Sequence, residues 1–396
     1  MALTKAHNRM IAGSVLNVLD FGAIGNGDQV DAVDDTAAIQ SAITAAQGNV
    51  LYFPSGTYLF SEPLYTENCS IFGDGPDETI LKASGSALST SLHALSLNRQ
   101  NNNVVRYNYY HDFALYGDGS SGTNYNGLAV KAGWFGTYKR IKVSNFSGIG
   151  MKCYSESYWN TYEDINIGKD SYPSVTAYPT TGVLLEGIAG AAFNATTFNS
   201  CYFSGSAYGL DAEWCDSLVF NNLETTDPDV GVRFGAHTTN IVINGLYSEL
   251  NATACIVNNS TTNSIYINGV SRTGSPTLYS GTRPATLMER SGAFSEAIVL
   301  NKNDLAMGYT FAVDSSTETL QVISSRVGAA IRNMQLGSDL TLSVNGTAAI
   351  FTSGSGSPEG VITAPIGSLY TRTGGGASTS FYVKESGTGN TGWIGK

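Results

Sequence analysis

Carboxylates at regular spacing are the residues of this 396-residue chain best suited to chemistry. Glu186 and Glu213 lie 27 residues apart in matching contexts, "GVLLEG" and "GLDAEW". Glu224 follows Tyr202 by 22 residues and precedes Tyr247 by 23. Asp227 and Glu249 come close behind Glu224 and Tyr247. A pair of carboxyl groups hydrolyses a glycosidic bond, about 5–5.5 Å apart in retaining enzymes and about 6.5–9.5 Å apart in inverting ones. Two like charges side by side also make one of them easier to protonate, as a general acid requires. Tyrosine adds an apolar ring face for sugar C–H groups and a hydroxyl for hydrogen bonding. The first choice of catalytic group is therefore Glu224, with Glu249 or Asp227 as partner, and the second set is Glu186 and Glu213. Tyr202, Tyr247, Trp214, Trp159 and Arg233 are the candidate substrate-binding residues.

Other chemistries fit less well. Asp20, Asp28, Asp31, Asp34 and Asp35 crowd into sixteen residues, but Asp28, Asp31 and Asp34 fall three apart without the order of a calcium loop. His7, His93, His111 and His237 stand apart from any Ser/His/Asp or Cys/His arrangement. The five cysteines, Cys69, Cys153, Cys201, Cys215 and Cys255, are scattered and read as buried free thiols. Neither a metal nor a cofactor is expected. The net charge of −11 with only 21 Lys and Arg argues against nucleic acid, whose counterions are released by clustered bases. It argues equally against an anionic membrane. No apolar stretch reaches membrane-spanning length, and the opening "MALTKAHNRMIAGSVL" lacks the apolar centre of a signal peptide.

The elements that must position these residues show as repeats. One series runs "GLAVKAG" from Gly127, "GIGMKCY" from Gly148, "GVLLEG" from Gly182, "GLDAEW" from Gly209, "GVRFGA" from Gly231 and "ACIVNN" from Ala254. A second interleaves with it: "YKRIKV", "YEDINI", "FNSCYF", "FNNLET", "INGLYS" and "INGVSR". Two strand types alternating about every 22 residues describe a right-handed parallel β-helix, in which each turn of chain stacks on the last. Alternation then sends residues one and three after the glycine inward, and residues two and four outward. The outward columns become Lys131, Lys152, Glu186, Glu213 and Gly235, with Asp211 and Arg233 beside them. In the second series they are Lys142, Asn166, Tyr202, Glu224, Tyr247 and Ser271. Asn199, Asn221, Asn244 and Asn268 share one place in four rungs and are expected to form an amide ladder. Trp134–Phe135, Tyr158–Trp159 and Phe193 recur ahead of the second series as an internal stack, a subunit contact or a sugar platform.

"DDTAAIQSAITAA" places Ile39 and Ile43 on one face of a single short helix, with Asp34 or Asp35 as its N-cap. Its neighbourhood, "NVLDFGAIGNG…DDTAAIQSAI…VLYFPSGTYLF…SIFGDGPDETIL" over residues 17–82, resembles the N-terminal signature of pectate-lyase-like β-helix proteins, a superfamily that includes bacteriophage tailspikes and capsule depolymerases. This chain departs from that pattern by extra residues in "GNGDQVDAVDDT". The ending "GSLYTRTGGGASTSFYVKESGTGNTGW" resembles the end of phage tail proteins. The resemblance implies a homotrimer on the virion tail, assembled in the host cytoplasm, that binds and cleaves a bacterial surface polysaccharide at the host surface. It implies a docking segment at 1–16 for tail, baseplate or adaptor proteins, a cap and first rungs at 17–82, a β-helix body at 83–290 and a C-terminal β domain at 291–396 that holds the trimer together. A glycan-binding adhesin without catalysis and a structural tail fibre subunit are the alternatives.

Overall fold

A computed structural model describes residues 15–98, 105–119, 123–168, 177–262, 264–274, 277–282, 349 and 351–396, together with the strand backbones between 286 and 343. Among the described residues the chain is almost entirely β and winds as a parallel solenoid. One wall is a nine-stranded sheet that includes Asn126–Val130, Ile149–Tyr154, Thr181–Glu186, Tyr208–Glu213, Val230–Phe234 and Ala254–Asn258 in spatial succession. The other wall is a longer sheet whose parallel part includes Tyr109–Tyr116, Thr137–Ser144, Thr161–Gly168, Thr197–Phe203, Cys215–Thr226, Thr239–Glu249 and Ile265–Thr273.

Small residues decide where the first wall begins in each rung. Gly127, Gly150, Gly182, Gly209 and Gly231 stack so closely that an added Cβ would come within 2.6–2.8 Å of the next rung's carbonyl oxygen. This corrects two alignments expected from sequence. "GIG" offers two glycines, and Gly150 rather than Gly148 takes the stacked place, because Met151 pairs with Leu128 and Val183. Lys152 therefore shares a column with Ala129, Leu184, Asp211 and Arg233, and Tyr154 stands next to Glu186 in its place. In the sixth rung Cys255, not Ala254, lies opposite Gly231, since Val232 pairs with Ile256.

The second series keeps its expected register throughout. Tyr138, Tyr162, Phe198, Phe220, Ile243 and Ile267 form one inward column. Tyr110, Tyr138, Tyr162, Phe198 and Phe220 stack face to face inside it, with ring centroids 5.4, 4.5, 4.6 and 4.8 Å apart. Each rung then turns a corner on one left-handed residue: Asp112, Arg140, Asp164, Ser200, Asn222, Gly245 and Gly269 all have positive φ. The residues just before four of these corners make the amide ladder: Asn221 donates to Asn199, Asn244 to Asn221 and Asn268 to Asn244, at 2.8, 2.9 and 2.9 Å. A corner side chain that would otherwise need water is thereby satisfied by its own repeat.

The helix spans Thr36–Ala45 and buries Ile39, Ala42 and Ile43 against the first rungs. The two aspartates ahead of it divide their tasks. Asp34 accepts from the Thr36 N–H at 2.9 Å, and against the effect of burial its bonds from Ser61 and Thr36 hold it below the usual carboxylate range. Asp35 occupies the N-cap position, but its side chain does not cap the helix. Its carboxylate accepts from the N–H groups of Ile24 and Gly25 at 2.7 and 3.0 Å and pins that loop instead. All five cysteines are buried and free, and burial pushes Cys69, Cys153 and Cys201 up to about 12.

A second compact unit takes residues 304–310 and 321–396. Its four-stranded sheet of Phe351–Gly354, Leu369–Arg372, Phe381–Lys384 and Trp393–Gly395 packs Tyr370, Tyr382 and Trp393 into a small core. Glu359 fastens its last strand by accepting from the Gly392 and Trp393 N–H groups. The expected docking segment lies outside the described residues except for its last two positions.

Candidate functional site

The outward face of the nine-stranded sheet gathers a chain of ionisable side chains in mutual contact. Glu186 and Glu213 are paired in register on adjacent rungs. Neither is bare: Lys152 Nζ lies 2.7 Å from Glu186, and His237 Nδ1 lies 2.9 Å from Glu213 Oε1. Room for the Glu213 carboxylate comes from a missing side chain. Gly235 follows it in the column, and a Cβ there would fall 1.3 Å from Glu213 Oε2.

His237 is the partner of a candidate carboxylate that sequence reasoning missed. It sits in the turn after Val230–Phe234, and its ring stacks on Trp214 with centroids 3.8 Å apart and planes 6° from parallel. Trp214 itself turns a corner with φ 55°, which swings its ring over the next rung's loop. The available signal was the glycine at 235, which interrupts the charged column where Glu213 needs space, with a histidine two residues later.

Asp211 lies two residues before Glu213 on the same strand and is nearly buried. Arg233 from the next rung grips it with two bonds of 2.7 Å, and the guanidinium also covers Tyr208 at 5.1 Å. Burial pushes the Asp211 carboxyl up against the pull of Arg233, whose own proton is held more firmly by this contact. Upstream, the ammonium groups of Lys131 and Lys152 lie 4.6 and 4.4 Å from the centre of the Tyr154 ring. His93 packs edge-on to the same ring, and burial, reinforced by the two lysines, lowers its pKa to about 4.

The longer sheet presents a different surface. Tyr202, Glu224, Tyr247 and Ser271 stand in one outward column, after Lys142 and Asn166. Glu224 accepts a long 3.5 Å bond from Thr226, and among the described residues no cation pairs with it. Glu249 is opposite Thr226, one rung on and two residues farther along than Glu224. Asp227, at φ 67°, donates its N–H to the Glu249 carbonyl. Burial, with the charges of Glu224 and Asp227, raises the Tyr202 hydroxyl above the usual phenol range.

The recurring aromatics divide between inside and outside. Phe193 is wholly buried. Tyr107, Phe135 and Trp159 form an outer stack with centroids 5.2 and 5.0 Å apart, and Trp134 meets Trp159 edge-on. Among the described residues no cluster of three or more His, Cys, Asp or Glu could hold a metal ion, and no helix is long and apolar enough to cross a membrane.

Comparison with known proteins gives relatives in sequence and in fold. Residues 15–233 match the family described as rhamnogalacturonase A/epimerase, pectate lyase-like. The mannuronan C5-epimerase AlgE3 of Azotobacter vinelandii is 31% identical over 176 residues, a match that covers 37% of this chain and 9% of that protein. AlgE2 of the same organism is 44% identical over 77 residues, covering 17% and 7%. The chain thus spans about a tenth of the length of these curated relatives. Among solved structures, the gp42 tailspike of Acinetobacter phage vb_AbaP_AS12 superposes with a TM-score of 0.55 at 11% identity, over 98% of this chain and 77% of that one.

Proposed function

Because the chain belongs to the rhamnogalacturonase A/epimerase, pectate lyase-like family, we propose that it binds a bacterial surface polysaccharide and hydrolyses it on the nine-stranded face, with Glu186 and Glu213 as the reacting pair. The observation that carries this reading is their register: two outward carboxylates on adjacent rungs, each with its own partner. Adjacent parallel strands are about 4.8 Å apart, close to the separation of a retaining pair. Glu213, held at Oε1 by His237 and seated in the space that Gly235 provides, donates a proton to the glycosidic oxygen. Glu186, ion-paired to Lys152, attacks the anomeric carbon as the leaving sugar departs. Water then cleaves the glycosyl-enzyme bond, returning its proton to Glu213 and freeing Glu186. Trp214 and Arg233 border the sugar.

A second reading places the reaction on the longer sheet. Glu224 and Glu249 are diagonal neighbours on consecutive rungs, a relation that separates them by about 7–8 Å and suits inversion. Tyr202 and Tyr247 would flank the sugar there, with Asp227 beside the pair. The two readings therefore differ in the stereochemistry of the product.

The full-length likeness to a phage tailspike and the phage-like ending support a place on the virion tail, as a homotrimer joined to tail, baseplate or adaptor proteins and acting at the host surface. The test is incubation with purified capsular and O-chain polysaccharides, following new reducing ends and the first-formed anomer by proton NMR. We expect retention, with Glu213→Gln and Glu186→Gln lowering turnover by roughly 100-fold or more and Glu224→Gln leaving it largely intact. Inversion together with loss in Glu224→Gln moves the reaction to the longer sheet. Binding by the wild type with no new reducing ends leaves a non-catalytic adhesin.

A further inference from the structure

The outer aromatic stack stops abruptly, and where it stops it leaves a shaped notch. Tyr107, Phe135 and Trp159 occupy one corner of successive rungs, each at positive φ, and remain 73%, 40% and 50% exposed. The next residues in that corner are Ala195, Ser217 and Asn240, also at positive φ. The flanking registers fix this alignment: Tyr158 pairs with Asn194, Asn194 with Asp216, and Asp216 with Thr239. One face of Trp159 is covered by Phe135 at 5.0 Å, and its edges meet Trp134 and Tyr158. Among the described residues no ring covers the other face, which looks along the solenoid axis over Ala195.

We propose that this notch is a saccharide subsite that seats one neutral pyranose residue on the free face of Trp159, above Ala195 and beside Asp216. Small side chains on two successive rungs leave a gap about twice the 4.8 Å rung spacing, enough for a sugar ring against the indole with its hydroxyls reaching the next rung. The wall beside it is polar and already oriented. Asp216 Oδ1 accepts from Ser217, Thr239 and Asn240 at 3.2, 3.0 and 2.8 Å. Its other oxygen, Oδ2, has no partner among the described residues and can accept sugar hydroxyls. This carboxylate decides the occupant. An acidic sugar would bring like charge against it, and an apolar surface of another chain would bury it without compensation. A neutral ring offers C–H groups to the indole and O–H donors to Asp216.

The subsite rests on the glycan-cleaving reading above and extends it. Asp216 and Ser217 follow Glu213 on the same chain around the Trp214 corner, so the Asp216 wall of the notch lies within about 14 Å of Glu213 along the backbone. A polysaccharide held at Glu213 can run across it.

The experiment titrates neutral and uronate-bearing capsular and O-chain oligosaccharides against the full chain and three variants. Ala195→Phe extends the stack on a backbone conformation that Phe135 and Trp159 already adopt, and so fills the notch without removing a contact. We expect it to weaken binding of neutral oligosaccharides by about tenfold, raising KM with little change in kcat, while melting temperature and sedimentation stay those of the wild type. Trp159→Ala should match it, and Trp159→Phe should restore most of the affinity. Unchanged affinity in Ala195→Phe and Trp159→Ala, with wild-type cleavage intact, overturns the subsite alone. So does a preference for uronate oligosaccharides that depends on Trp159, or a change in sedimentation in Trp159→Ala, which would make the notch a contact between chains. A wild type that binds no glycan overturns both the subsite and the function it rests on.

Discussion

Single residues on the nine-stranded face depend on partners that no short motif reveals. Glu186 and Glu213 are legible in the sequence because they recur at the same place after a glycine. The groups that orient them are not, because Lys152 reaches Glu186 from the previous rung's neighbouring column and His237 returns to Glu213 from a turn. His93 shows the same limit with a measurable consequence. It is buried, its Nε2 has no hydrogen-bond partner, and Lys131, Lys152 and Tyr154 are the charged or titratable groups around it. Burial and the two ammonium charges lower its pKa to about 4, whereas the unfolded chain holds it near 6.5. Between these values the unfolded chain takes up a proton that the folded chain refuses. Stability is therefore full above about pH 6.5 and falls by about 3 kcal/mol as the pH drops towards 4. Melting curves between pH 7.5 and 4.5 should show this decline, and His93→Gln should flatten it. An equal decline in the variant would assign the loss to other groups.

At the scale of the element, legibility depended on how distinctive each strand's pattern is. The second series kept its register because a large apolar or aromatic residue opens every rung and, in four of them, an asparagine follows it, and the amide ladder formed across those four rungs. The first series slipped at Gly148 because two glycines two residues apart satisfy the same alternation, and only the close carbonyl of the next rung selects Gly150. The helix was readable from Ile39 and Ile43, yet its cap was shared differently from expectation, since Asp35 was drawn to a loop that sequence alone does not bring near it. The internal stack is the element on which the rungs lean most. Phe198 is covered by Tyr162 on one face and Phe220 on the other, at 4.6 and 4.8 Å, with Phe203 at its edge. Phe198→Ala should cost about 3–5 kcal/mol, because rungs held by backbone ladders above and below cannot close on the space. Chemical denaturation of the variant checks this, and a loss below about 1 kcal/mol would mean that the stack is not what sets the spacing of the core.

The chain comprises a solenoid and a second compact unit, and the solenoid's geometry explains why the candidate residues fall along columns instead of gathering in one loop. Every rung presents the same outward places, so a site is built by what successive rungs put there: ion pairs and a histidine on one wall, tyrosines and a carboxylate on the other, a ladder of rings along a corner. An extended polymer is the ligand that such a surface fits, because its own repeat can engage several rungs at once. The net charge of −11 adds a constraint on assembly, since copies brought together must overcome mutual repulsion. Contacts between chains in the proposed homotrimer should therefore be apolar or ladder-like, and salt should strengthen the association by screening that repulsion. Sedimentation of the full chain should give three times 41.8 kDa at moderate ionic strength, with the trimer unchanged or favoured as salt rises. A species of one chain mass at all salt concentrations would remove the tail-mounted trimer while leaving the fold and the two candidate faces untouched.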